Sequence, residues 1–428
     1  MKYDVVVIGA GASGMMAAVQ AAKCGRKTAL LEVLGRPGKK LLVTGNGKCN
    51  LTNYKLNEEC YHTDSGNKKD IMKVIGRFDS KAVTDFFREE GMLVRNREGY
   101  VYPYSEQASS VLDALRHCLD KYGVELVCDC EINTIRKTAD TFLVSGVINE
   151  DGVQRKLSCS ADRLIVATGS AAGGVCDQGS KKASKGDGGN GMNSRCGLGY
   201  RIARDMGHHI VKLLPALVAL NCEERFCKEI SGVRAKACIK LMIDGKCVAY
   251  DYGELQITDT GISGIPVFQV SRYAVGALDA GKKKVQAVID FMPEYDEQEL
   301  SKYISGLQKY TDTDSDGHSL ALTDILTGLV NKKLMTLMIK LSGGRTKELV
   351  RLLKGFTVNI VKDKGIAAAQ VCRGGVRLDE VDAGTLESKL CKGLYFCGEI
   401  LDVDGCCGGY NLQWAWSSGY MAGMSCGR

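Results

Sequence analysis

The stretch at the start of the chain restricts the fold more than any other. Val5, Val6, Val7 and Ile8 form an unbroken apolar run, and Gly9, Gly11 and Gly14 follow at G-x-G-x-x-G spacing. An apolar run without alternation predicts a parallel strand covered on both faces. Behind it, Gly9 permits a sharp turn, Gly11 lets a pyrophosphate approach the backbone, and Gly14 lets the next helix pack closely on the strand. Ser13 to Lys23 is rich in alanine and methionine and reads as that helix, its free N–H groups and dipole directed at an anion. Thr28 to Leu31 reads as a second strand, and Glu32 ends it eighteen residues after Gly14. A carboxylate there accepts hydrogen bonds from ribose hydroxyls. A glycine turn alone is a common structural device. Strand, turn, helix, strand and acid together predict a dinucleotide site.

Length calls for more than this one unit: 428 residues exceed a single core and predict two or three domains. Apolar residues make up 45% of the chain, enough for substantial cores. A net charge of +7 is mild for this length and lacks the concentrated basic face of a nucleic-acid binder, so no nucleic-acid partner is expected. The N-terminus is already a strand, with no signal peptide ahead of it, and no apolar run is long enough to span a bilayer. A cytoplasmic setting without membrane contact is the expectation, which would keep the 19 cysteines reduced. With five histidines and no Cys/His cluster at ligand spacing, no metal site is expected. Cys128-Asp129-Cys130 reads as one strand with both thiols on one face.

Downstream, Leu34–Asn53 reads as a long glycine- and lysine-rich loop with too few apolar residues for a buried element. Its cations can meet a diphosphate, and its later amides a polar ring edge. Ser80–Glu90 and Ala108–Tyr122 read as helices, and Tyr100–Tyr104 as a tyrosine-rich ribbon. Arg163–Gly169 reads as a buried strand ending in a small-residue turn. Ser170–Gly199 reads as a mobile excursion, because no apolar strand leads into it. Alternation in Ala235–Ile243 and Val248–Thr258 predicts a β-rich region. Glu294–Tyr310, Ser319–Leu341 and Thr346–Leu353 read as helices. Leu394–Phe396 is a further strand ending at Gly398-Glu399, and Asn411–Met424 forms the last helix beside a glycine pair.

KLLVTGNGKCNLTN, GELQITDTGISGIPVFQVSR, GLYFCGEILDVDG and GGYNLQWAWSSG resemble the bacterial HI0933-like (BaiN-like and aminoacetone-oxidase-like) flavoprotein family, from Met1 nearly to Arg428. The resemblance implies an α/β fold: a two-dinucleotide-binding, Rossmann-like FAD domain with an inserted β-barrel-like domain and a small helical cap. The expected bounds are 1–205 with 362–428 for the FAD domain, 206–294 with 343–361 for the β-rich domain, and 295–342 for the cap. Carried over by position, Gly9, Gly11, Ala12, Ser13 and Gly14 cradle the diphosphate, with Lys39 nearby, and Glu32 holds the ribose. Ile132 meets adenine, and Thr168 and Gly169 form a second close approach. Gly45, Asn46, Gly47, Cys49, Asn50 and Leu51 approach the flavin. Gly398, Glu399 and Asp404 meet the ribityl–phosphate region, and Asn411, Leu412 and Gln413 the pyrimidine edge.

The resemblance further implies an FAD-dependent oxidoreductase that reduces an activated C=C bond of the 3-oxo-Δ4,6 steroid type. NAD(P)H would be a transient electron donor, because no second nucleotide-binding turn is visible. Tyr410 is the expected proton donor and Arg373 the expected clamp for an oxyanion or carboxylate of a small-molecule substrate. The alternatives are an aminoacetone-type amine oxidase using O2, a tRNA-modifying flavoprotein and a non-catalytic FAD-binding protein. The tRNA reading calls for a basic helical extension, whereas this chain ends with its last flavin helix. The doublet Cys406-Cys407 reads as two free thiols in a loop, since adjacent cysteines form a strained ring when oxidised. Oligomeric state is not readable.

Overall fold

The computed structural model describes residues 1–150, 152–173, 197–308 and 321–427. The chain forms two compact units, Met1–Leu214 with Val371–Arg428, and Pro215–Gln370. In the first, one sheet runs in the order β7 (Glu125–Val127), β2 (Thr28–Leu31), β1 (Lys2–Ile8), β10 (Val153–Val166), β9 (Phe142–Glu150), β8 (Cys130–Lys137), and β19 (Leu394–Phe396) also pairs with β10. The pairs β7–β2, β2–β1, β1–β10 and β10–β19 are parallel, whereas β8 and β9 add an antiparallel meander. Val5, Val6 and Val7 are fully buried, as a parallel strand with both faces covered requires.

Helix α1 (Ala12–Lys23) follows β1 and packs on the last helix, α11 (Tyr410–Cys426). The packing is close because small residues meet. A β-carbon on Gly419 would fall 2.4 Å from the Ser13 carbonyl oxygen, and one on Gly423 2.3 Å from that of Ala17. This contact couples the two helices that open the site. The remaining helices of this unit are α2 (Lys68–Ile75), α3 (Ser80–Glu89), α4 (Ala108–Lys121) and α5 (Leu198–Asp205). A small sheet joins β3 (Thr52–Asn53), β6 (Tyr100–Pro103) and β5 (Val94–Arg97), and β4 (Tyr61–His62) pairs with β20 (Asp404–Gly405).

The second unit is built on a closed barrel of β12 (Leu220–Cys222), β15 (Gly261–Gly264), β14 (Lys246–Thr258), β13 (Arg234–Ile243), β16 (Val285–Asp290) and β17 (Phe356–Asp363). It also carries α6 (Ile265–Asp279), α7 (Glu297–Gln308), α8 (Leu322–Ile325), α9 (Lys332–Ser342) and α10 (Thr346–Gly355). Alternation along β13 and β16 places Ala237, Ile239, Leu241, Ala287 and Ile289 in its core. Short strands β11 (Leu214–Ala216) and β18 (Val371–Arg373) mark the two passages of the chain between units. Among the described residues no helix is long and apolar enough to cross a membrane, and no group of three or more His, Cys, Asp or Glu is placed to hold a metal ion.

Four expectations need correction. Cys128-Asp129-Cys130 is not one strand: β7 ends at Val127 and β8 begins at Cys130, with Asp129 at φ 50° between them. The loop Leu34–Asn53 does hold buried structure, since Leu41, Cys49, Leu51, Thr52 and Asn53 are all buried. Strand β10 starts ten residues before Arg163, because its polar first half, Val153 to Ala161, pairs with β9. β17 closes the barrel from a stretch that carried no strand expectation. Most of Ser170–Gly199, the end of Glu294–Tyr310 and the start of Ser319–Leu341 lie outside the described residues.

Candidate functional site

A cleft of about 1150 Å³, counting the solvent at its mouth, opens at the C-terminal ends of β1, β2 and β10. Gly9, Gly11, Ala12 and Ser13 line one side of it. Gly11 is the N-cap of α1 and supplies no side-chain cap, so the first amides of the helix have no internal partner. A β-carbon on Gly11 would meet nothing within 4 Å, whereas one on Gly14 would lie 1.8 Å from the Gly9 carbonyl oxygen. Gly11 thus faces open space, and Gly14 lies under the turn and does not line the cleft.

Glu32 is set into the cleft wall by two amides, Ala10 N–H to Oε2 at 2.7 Å and Leu34 N–H to Oε1 at 3.0 Å. Burial raises its pKa, and the hydrogen bonds from Leu34, Ala10 and Val33 oppose that shift. A carboxylate has about four acceptor positions, so these three amides leave one open. Lys39, Ile132, Thr168, Gly169, Glu399, Asn411 and Leu412 line the cleft too. Thr168 Oγ1 is buried with no hydrogen-bond partner.

Sequence reasoning missed Lys40, Thr44 and Ser170. Lys40 lines the cleft and pairs with Glu399 at 2.6 Å, and Ser170 Oγ donates to the same carboxylate oxygen at 2.9 Å. The Lys39-Lys40 doublet was the available signal, but spacing does not tell which lysine finds an acid 359 residues away.

Other expected contacts are placed behind the cleft wall. Gly398 donates its N–H to Ser418 Oγ at 2.9 Å, and its carbonyl accepts from Trp414 Nε1 at 3.1 Å. The Leu51 carbonyl accepts from Trp416 Nε1 at 2.9 Å. Gln413 donates to the Phe78 carbonyl and to Ser417 Oγ, both at 2.8 Å, and accepts from Thr52 Oγ1, so its carboxamide is engaged inside the protein. Asp404 is buried on β20. The Cys49 thiol is buried, which pushes its pKa up to about 12. Gly45, Asn46 and Gly47 are exposed, in the loop after Thr44, which does line the cleft. Asn50 sits between that loop and the start of α11, its Oδ1 buried without a partner.

Neither Tyr410 nor Arg373 lines the cleft. Tyr410 is the first residue of α11, with its hydroxyl donating to the Lys55 carbonyl at 3.3 Å. Arg373 grips Asp64 with Nε at 2.5 Å and Nη2 at 3.1 Å. The Asp64 amide is in turn bound by Asp402 at 2.8 Å.

The start of α11 is another uncapped helix terminus at the cleft. Its N-cap is Gly409 and no acid occupies its first turn, so its dipole and free amides face Asn411 and Leu412 at the cleft wall. A diphosphate fits the open glycine turn, a ribose hydroxyl fits the remaining acceptor position of Glu32, and a polarised ring fits the α11 terminus. An extended dinucleotide held between two helix starts defines a two-dinucleotide-fold flavoprotein, and the residues present fit FAD.

The particular family follows from the sequence as a whole: the chain belongs to the HI0933-like family, whose Rossmann domain matches residues 3–425. It is 38% identical over 433 aligned positions to the 3-dehydro-bile acid delta(4,6)-reductase of Clostridium scindens, covering 98% of each chain. It is 28% identical over 437 positions to the ribosomal RNA dihydrouridine synthase of Haemophilus influenzae, covering 99% of this chain and 98% of that one. Among solved structures, the 3-ketosteroid delta1-dehydrogenase of Sterolibacterium denitrificans covers all of this chain at 11% identity with a TM-score of 0.49, over 99% of its own length. The protein is an FAD-dependent oxidoreductase.

Proposed function

We propose that the enzyme reduces a C=C bond conjugated to a carbonyl, in a substrate of the 3-oxo-Δ4,6 steroid type, with NAD(P)H as transient donor. The observation that carries this reading is the end-to-end 38% identity to a reductase of such a bond. FAD supplies the hydride chemistry when bound. The chain's own residues bind and orient. The α1 terminus and Lys39 hold the diphosphate, Glu32 the ribose, and the free amides of α11 stabilise negative charge at the ring edge, by about 0.3–1 kcal/mol if exposed and up to about 2 if partly buried. Tyr410 is the proposed proton donor. Burial, with Cys60 next, raises its pKa, so the hydroxyl keeps its proton. Arg373 serves as an anion clamp only on releasing Asp64.

A second reading has support of its own. The Haemophilus relative is named as a dihydrouridine synthase, and a dihydrouridine is a uridine with one ring C=C saturated. The match covers 98% of that relative, so its name does not depend on an extension beyond the shared region. Anaerobic mixing of the holoenzyme with NADH and with NADPH tests both readings at their first step. Bleaching of the flavin absorbance is expected, and no bleaching with either donor overturns the reductase reading. Re-oxidation by a 3-oxo-Δ4,6 steroid, by a uridine oligonucleotide, or by O2 with peroxide release on aminoacetone then separates the substrate classes.

A further inference from the structure

The sheet β3–β6–β5 carries a cluster that the dinucleotide cleft does not use. Tyr100 and Tyr102 lie on one face of β6, with Val101 and Pro103 buried on the other. Arg97 is registered opposite Tyr100 and Arg95 opposite Tyr102, and residues directly opposite share a face. Three cations from two segments converge on one carboxylate: Glu106 pairs with Lys48 at 3.0 Å, with Arg95 at 3.4 Å and with Arg97. A hydrogen bond from Lys48, then the charges of Arg97 and Arg95, holds Glu106 below the usual carboxylate range. One acid among three bases leaves the cluster with surplus positive charge. Glu106 takes φ 53°, a left-handed backbone that a non-glycine residue keeps only where its surroundings enforce it.

This face borders the ring end of the cleft. The Tyr100 ring is 2.7 Å from a β-carbon built on Gly408, and the Tyr102 ring 3.7 Å from one built on Gly45. Gly45 follows the cleft residue Thr44, and Gly408 lies three residues before Asn411. Tyr100 and Tyr54 are exposed, so apolar ring surface is open beside the cations.

We propose that this face recognises a carboxylate carried on an apolar ring body. The anion meets Arg95, Arg97 and Lys48, and the body lies along Tyr100 and Tyr102 toward the cleft. A guanidinium pairs a carboxylate bidentately, and a tyrosine face accepts a flat apolar skeleton. Strands of four residues offer roughly 13 Å, the reach of one small molecule and short for a polynucleotide track. The inference rests on the enone-reductase reading of the adjoining cleft and deepens it by naming the substrate's charge.

The test uses binding to FAD-loaded enzyme, measured by titration calorimetry with 3-oxo-5β-cholanoate, which has no C=C to reduce, and with its methyl ester. The acid is expected to bind about tenfold tighter than the ester at low salt. That preference should vanish in Arg97→Ala and grow in Glu106→Gln, with bound-flavin absorbance reporting that each variant is folded. Equal affinity for acid and ester, no binding of either, or an unchanged preference in both variants overturns the proposal. So does displacement of the acid by a uridine oligonucleotide at lower concentration than the acid itself, which assigns the face to nucleic acid. Because the probe is not reduced, failure here is separate from failure of the reductase reading, which flavin re-oxidation reports.

Discussion

The α-carbon of Gly14 sits so close under Gly9 that a β-carbon there would lie 1.8 Å from the Gly9 carbonyl oxygen and 3.2 Å from the Ala167 side chain. The first contact is with backbone, which cannot swing away as a side chain can. Gly14→Ala is therefore expected to displace α1 from β1, lowering stability by roughly 1–3 kcal/mol as overpacking does and abolishing flavin retention. Urea unfolding of the apoprotein and absorbance of the purified enzyme check both effects.

Gly11→Ala is expected to separate those effects. Its backbone, at φ −79°, suits any residue, and its β-carbon meets nothing within 4 Å. Apoprotein stability should change by less than about 1 kcal/mol, while the methyl occupies the space a diphosphate needs. FAD affinity should fall at least about tenfold, roughly 1.4 kcal/mol. A titration of apoprotein with FAD that matches wild type would refute the placement of the diphosphate.

Removing the Glu32 carboxylate leaves the Ala10 and Leu34 amides without their acceptor. Glu32→Ala should cost roughly 1–3 kcal/mol for each amide left buried and unsatisfied, with a further loss of affinity for FAD. Flavin fluorescence on dilution reports the second effect.

His208 makes acid stability testable. Its imidazole is buried, with Nδ1 3.1 Å from Glu380 and Nε2 2.6 Å from Ser388 Oγ. Burial lowers its pKa despite Glu380, which acts to raise it. As pH falls through the ordinary histidine range, the unfolded chain takes a proton that the folded one refuses, so stability present at neutral pH is lost on acidification. Tm should drop between about pH 7 and pH 5, and His208→Gln should flatten that slope. Glu380, whose pKa is lowered, loses its contribution only further into acid. An equal slope in the variant would exclude His208 as its source.

Tyr410→Phe removes a hydroxyl that donates to the Lys55 carbonyl at 3.3 Å and also meets the Cys60 thiol. If it is the proton donor, substrate reduction should slow by about 10²-fold, while flavin bleaching by NAD(P)H is unchanged. Stopped-flow traces of the two half-reactions separate these steps.

Much of the cleft wall built by the N-terminal segment is legible along the chain, because it is local. Val5 to Glu32 holds the strand, the turn, the helix start and the acid within one βαβ arrangement, and of these Ile8, Gly9, Gly11, Ser13 and Glu32 line the cleft. The ring half is less legible. Leu51, Gln413 and Gly398 stand in motifs that resemble flavin contacts, yet their polar groups meet Trp416, Phe78 with Ser417, and Trp414 with Ser418. Glu399 stands out along the chain as a ribityl contact, but its 2.6 Å ion pair with Lys40 does not. The polar half of β10 escaped because its hydrogen-bonding partner, not its composition, makes it a strand.

Short-range order was therefore set by the sequence itself: the apolar run that must be buried, the glycine spacing that admits a phosphate, and the helix start that attracts an anion. These depend on residues a few positions apart, whose geometry the backbone dictates. Tertiary structure alone decided which side chains face the cleft and which support it from behind. It set Gly419 and Gly423 against the carbonyls of Ser13 and Ala17, and so brought two helix starts to one cleft. It also gathered Lys48, Arg95 and Arg97 on Glu106. Such contacts join residues from distant parts of the chain, and only close packing of complementary surfaces selects them.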